Sequence, residues 1–96
     1  MPAKELLKKN REEILRLANL HGALNLRVLG AAARGTDRED SDIDVLIDVG
    51  QQTTPWFPGG LIIDLEDLLG RSIDIATEAS LHPAIRDRVL NEAIPL

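Results

Sequence analysis

The apolar positions of the chain change their period repeatedly, and each change marks an element. From about Ala3 to His21, Leu7, Ile14, Leu17 and Ala18 recur on one helical face while Lys, Arg and Glu occupy much of the rest. Gly22 is a natural helix stop. Asn25 to Leu29 alternates, with Leu26 and Val28 on one face and Arg27 and Leu29 on the other, which predicts a short strand. A small-residue turn, Gly30 to Gly35, follows with room for one helical turn, and Thr36 to Asp40 reads as a solvated charged loop. In Ile43 to Val49, Ile43, Val45, Ile47 and Val49 alternate with Asp44, Leu46 and Asp48, and the β-branched content makes this the clearest strand.

Gly50 to Gly60 carries Thr-Thr-Pro and Pro-Gly-Gly and predicts a linker. It holds the aromatic residues Trp56 and Phe57, expected at the edge of the core, with contact to a base or a partner as the alternative. A helix is expected from Gly60 to Leu69, ended by Gly70, and a third strand from Ser72 to Ala76. Pro83 suits the first position of a last helix, running to about Asn91 with Ile85, Val89 and Leu90 facing inward, and Pro95 ends the pattern. The sum is a single α/β (α+β) domain over residues 1–96, a small mixed sheet of three strands covered by helices. The short link between the first two strands favours an antiparallel pair, and the helical crossover before the third favours a parallel one.

Composition narrows the chemistry. A chain of 96 residues buries a limited share of its surface, which favours partners, another copy of itself included. There is no cysteine, and the two histidines, His21 and His82, are a poor basis for zinc. The many carboxylates suit magnesium, manganese or calcium. A net charge of -5 argues against direct binding of duplex nucleic acid but not against a nucleotide that arrives with its own metal. No apolar run reaches membrane-spanning length, and the N-terminal MPAKELLKK lacks the apolar core of a signal peptide, so a cytoplasmic protein is expected.

Asp42 and Asp44 are two apart, which on a strand puts both carboxylates on one face, roughly 6–7 Å apart along the chain. Two such charges raise the cost of ionising one another, and a divalent cation removes the conflict. Asp74, in the middle of an apolar strand, is costly to bury unless paired or bound to metal. If the strands align, three carboxylates converge as two-metal nucleotidyl transfer requires. Gly30 would let a phosphate approach the backbone, a helical turn starting at Ala31 or Ala32 would offer N–H groups, and Arg34 would add a cation. Asp37, Glu39 and Asp40 are expected in solvent, and Asp48 as a charge at a strand end.

These residues resemble the minimal nucleotidyltransferases of the DNA polymerase β superfamily. The family pattern is Gly-Ser, ten residues, then Asp-x-Asp. Gly30 holds the first place here, Ala33-Arg34-Gly35 completes the turn, and Ser41-Asp42-Ile43-Asp44 supplies the end. Leu65 to Asp74 and Arg86 to Leu96 are also similar to family segments. The resemblance implies a polymerase-β-like palm without fingers or thumb. It implies two magnesium ions (or manganese) on Asp42, Asp44 and Asp74, and ATP held at Gly30, Ala31, Arg34 and Ser41. It also implies a role as antitoxin, neutralising a helical HEPN toxin by attaching AMP to one of its tyrosines. The sequence departs from the family at Ala31, where Ser is usual. The missing hydroxyl would weaken nucleotide handling by roughly tenfold to a hundredfold, and an antitoxin acting by binding alone is the alternative.

Overall fold

The computed structural model describes residues 1–96. Helices α1 (Ala3–Lys9) and α2 (Arg11–His21) are followed by β1 (Ala23–Leu29), the short α3 (Gly30–Arg34), β2 (Ile43–Val49), α4 (Gly59–Leu69) and β3 (Ile73–Thr77). A 3-10 turn at Glu78–Ser80 leads into α5 (Pro83–Glu92) and β4 (Ile94–Pro95). The strands form one mixed sheet in the order β3-β2-β1-β4. β1 pairs antiparallel with β2 and with β4, and β2 pairs parallel with β3. The pairing senses expected for the first three strands are those found.

One face of the sheet carries the main core. Leu26, Val28, Ile43, Val45, Ile47 and Ile73 point into it and meet Ala3 and Leu7 of α1, Ile14 and Leu17 of α2, Ala32 and Ala33 of α3, and Leu61, Leu65 and Leu69 of α4. The alternation in β2 holds to its end, where Val49 emerges into solvent. The other face is lighter. Leu46 is fully buried there, yet it lies outside the main cluster, beside its strand neighbours Arg27 and Ala76.

Four elements differ from expectation. The first helix is broken at Asn10, whose side-chain amide donates to the Leu6 carbonyl (2.9 Å) and competes with the helical ladder. β1 begins two residues earlier than its alternation indicates, because Asn25, at φ 51°, is the extra residue of a bulge. The bulge lets Ala23 and Leu26, three apart, both face the core. Helix α5 contributes no buried residue, and Ile85 is exposed. The fourth strand was hidden by its length and by Pro95, which an edge strand tolerates.

The long loop after β2 is fastened to the end of α2. His21 is buried, with Nδ1 2.6 Å from Thr54 Oγ1 and Nε2 2.6 Å from Asp64 Oδ2. Gly22 closes α2 at φ 91°, and an added Cβ would stand 2.1 Å from the Gln52 carbonyl oxygen. Gly22→Ala combines a left-handed backbone with a clash against main chain, so a loss of about 2 kcal/mol or more is expected, read from urea unfolding. Trp56 in this loop is 91% exposed, not at the core edge, whereas Phe57 packs against the core.

Candidate active site

The open end of the sheet is built by three strand ends. β1 stops at Leu29, β2 starts at Ile43 and β3 starts at Ile73. The parallel register sets Asp44 directly beside Asp74, and the antiparallel register sets Asp44 opposite Leu29. Gly30, the next residue, therefore lies against the carboxylate: an added Cβ would be 3.3 Å from Asp44 Oδ2. Its φ of 61° is the turn from strand into α3, and any side chain there would be both strained and in the way.

The charges in this corner act on one another. The Asp44 carboxyl is half-buried and is pushed above the ordinary carboxylate range, first by burial, then by the charge of Asp74, then by that of Asp42. Asp42 is exposed one residue before β2, yet it belongs to the same field. A cleft of about 490 Å³ opens above Asp44 and Asp74. Gly30 and Arg34 line it from the α3 side, Leu81, Arg88 and Glu92 from the α5 side.

Asp44, Asp74, Gly30 and Arg34 are thus brought together as expected. Asp42, Ala31 and Ser41 do not line the cleft. The Ala31 carbonyl accepts the N–H groups of Gly35 and Thr36, closing α3. Ser41 Oγ donates to the Arg38 carbonyl (2.7 Å) and accepts from the Arg38 N–H (2.8 Å), closing the loop before Asp42. Nor do Trp56 and Phe57 line it, for their loop leaves the other end of β2, about 20 Å away along the strand.

That loop before Asp42 corrects another expectation. Asp37 is not solvated but buried against Arg71, with Nη1 3.0 Å from Oδ2 and side-chain exposures of 1% and 6%. Burial would raise the Asp37 carboxyl, but hydrogen bonds from Arg71 and the Ala3 N–H together with the Arg71 charge hold it below the ordinary value. Arg71 Nη2 also donates to the carbonyls of Arg38 and Ser41, both at 2.7 Å. Asp48, at the far strand end, pairs with Arg27 at 2.7 Å and accepts from Asn25, away from the cleft.

Comparison with known proteins decides the family. The profile of the nucleotidyltransferase domain matches residues 5–96. It belongs to the nucleotidyltransferase domain family, among the protein adenylyltransferases. A Methanocaldococcus jannaschii protein inferred to be a protein adenylyltransferase is 34% identical over 84 residues, 88% of this chain and 90% of its own length. The protein adenylyltransferase MntA of Thermococcus cleftensis is 35% identical over 73 residues, 76% of this chain and 74% of its own. A solved structure inferred to be a minimal nucleotidyltransferase superposes with a TM-score of 0.85 at 44% identity, covering 100% of this chain and 97% of that one. A toxin–antitoxin structure with AMP-PNP shares the fold, with a TM-score of 0.71 at 19% identity over 90% of this chain and 71% of that one.

For a nucleotidyltransferase the donor set at the cleft is the fitting kind. It is all carboxylate oxygen, which hard divalent cations take, and magnesium needs only one or two such ligands beside water and phosphate. The mutual repulsion at Asp44 is what a cation would relieve. No three acidic or imidazole side chains are already gathered at ligand distance, so a cation held by all three carboxylates would have to draw Asp42 and Asp74 onto Asp44. No helix is long and apolar enough to cross a membrane. Sequence reasoning missed Arg88 and Glu92. Their spacing of four on a helix was visible, but nothing in the pattern said that α5 would lie over the carboxylates.

Proposed function

We propose that this nucleotidyltransferase is an antitoxin that moves AMP from ATP to a tyrosine of a partner HEPN toxin, with magnesium as the cofactor. The observation that carries the reading is the side-by-side register of Asp44 and Asp74 against the bare backbone of Gly30 in an open cleft. In the reaction the phenol oxygen attacks the α-phosphorus, the phenol proton leaves, and the bond to pyrophosphate breaks. Bound magnesium ions would neutralise the phosphates and the leaving pyrophosphate.

Asp42 and Asp44 hold the metal in this reading, and Asp74, at the exposed edge of the sheet, completes the set and takes the phenol proton. Gly30 admits the phosphate chain. Arg34 supplies a cation. Ala31 leaves the main chain as the donor where a hydroxyl would otherwise serve. The open cleft suits a side chain delivered by another protein, because its far wall is a single helix.

The test is the intact mass of the toxin after incubation with this protein, ATP and magnesium. An increase of one adenylyl group is expected with the native chain and none with Asp42→Ala/Asp44→Ala. The alternative, neutralisation by binding alone, rests on Ala31. It would be established by an unmodified toxin that is still inhibited equally by both forms.

A further inference from the structure

Of the four charged side chains of α5, Arg86 and Glu92 are paired and Asp87 and Arg88 are not, and of these two only Arg88 lines the cleft. Arg86 is paired with Glu78 at 3.5 Å. Glu92 is paired across the cleft with Arg34 of α3 at 3.6 Å. Arg88 sits four residues before Glu92, where a helical ion pair would ordinarily form. Glu92 is instead engaged by Arg34, and Arg88 has no hydrogen bond or ion pair of its own. Yet Arg88 lines the cleft, on the wall facing Asp44 and Asp74.

An unpaired guanidinium opposite two carboxylates, in a cleft floored by Gly30, is positioned for a ligand that carries negative charge on one side and accepts metal on the other. A polyphosphate does both. Guanidinium also matches phosphate geometry with paired N–H groups, which a lysine cannot reproduce. We infer that Arg88 binds the phosphate chain of the nucleotide, so that α5 is the second wall of the nucleotide site. The inference rests on the nucleotidyltransferase reading above and adds to it a binding residue outside the turn and the carboxylates.

The Arg34–Glu92 pair then has a consequence. Both side chains are about half exposed, so the pair is weak and exchangeable. Glu92 holds Arg34 and so competes with phosphate for that arginine. Removing Glu92 should therefore tighten nucleotide binding, the opposite of removing Arg88.

The experiment is calorimetric titration of the full chain with AMP-PNP and magnesium, with pyrophosphate and adenosine as separate ligands. Arg88→Ala should weaken AMP-PNP roughly tenfold to a hundredfold. Arg88→Lys should recover part of the loss, and Glu92→Gln should bind more tightly than native. Pyrophosphate should lose affinity in parallel with AMP-PNP, and weak adenosine binding should stay unchanged, since only the phosphates are read. Thermal unfolding should be unaltered in Arg88→Ala, because the side chain is exposed and unpaired. AMP-PNP affinity within twofold of native in Arg88→Ala overturns the inference and leaves the nucleotidyltransferase reading intact. A native chain that binds no AMP-PNP overturns both.

Discussion

Replacing Asp44 with Asn is expected to reduce AMP transfer by at least about a thousandfold while leaving the fold no less stable than the native one. The activity loss follows from its place: Asp44 is the carboxylate that touches the Gly30 turn and is flanked by the other two, so any cation shared among them must include it. Metal stabilisation of a transferring phosphoryl group amounts to several kcal/mol, and each 1.36 kcal/mol is tenfold in rate. The stability result follows from the sign of its pKa shift. A carboxyl raised in the folded state binds its proton more tightly there than in the unfolded chain. Its contribution to stability is present below the unfolded value, near 4, and is lost as pH rises through the folded value. At neutral pH, without metal, ionised Asp44 is therefore a strain on the fold, and Asn removes it. Thermal midpoints with and without magnesium check this. Magnesium should raise the midpoint of the native chain and leave that of Asp44→Asn nearly unchanged. Equal magnesium responses in the two would remove Asp44 from the metal site.

More of the candidate cleft than of its support was legible in the sequence. The placement of Asp44, Asp74 and Gly30 at one end of the sheet was legible because strand alternation and strand ends are local properties. A period of two puts Asp44 on the face opposite Ile43, and register does the rest. The Asp37–Arg71 pair was not legible. Asp37 stands in a run of charges that reads as solvent-facing, and only the return of the chain through α4 brings Arg71, thirty-four residues later, on top of it. The broken first helix is a similar case, since Asn10 decides between ladder and side chain by a hydrogen bond that hydrophobic period does not record. The exposed α5 is a third. Ile85, Val89 and Leu90 have helical spacing, but the spacing says only that they share a side, not that a core exists for that side to meet. Where an element is fixed by its neighbours in sequence, pattern sufficed; where it is fixed by a partner distant in sequence, it did not.

Arg71→Ala should be the most damaging single change outside the cleft. It strips the ion partner from Asp37, whose side chain is almost wholly inaccessible. Breaking a buried pair in this way costs about 3–5 kcal/mol, against a total of roughly 5–14 kcal/mol for a chain of this length. Asp37 adds a pH signature. Its carboxyl is held below the ordinary range, so its stabilisation is fully present above about pH 4 and is lost as pH falls through the folded value. Asp37→Asn should flatten that part of the acid limb. Two buried polar atoms, Asp37 Oδ1 and Arg71 Nε, have no partner, so the pair is not an optimal one in energy. A well-packed apolar replacement, Asp37→Leu/Arg71→Met, should accordingly regain most of the stability that Arg71→Ala loses, apart from about 1 kcal/mol for the orphaned Ala3 N–H. It should not regain activity. Arg71 also holds the Arg38 and Ser41 carbonyls, and those bonds fix the chain one residue before Asp42. Urea unfolding and AMP transfer measured on the same three proteins separate the two roles. If the double variant recovers both, Arg71 serves stability alone; recovered stability with transfer still depressed tenfold or more makes the buried pair the element that positions Asp42 and the start of β2.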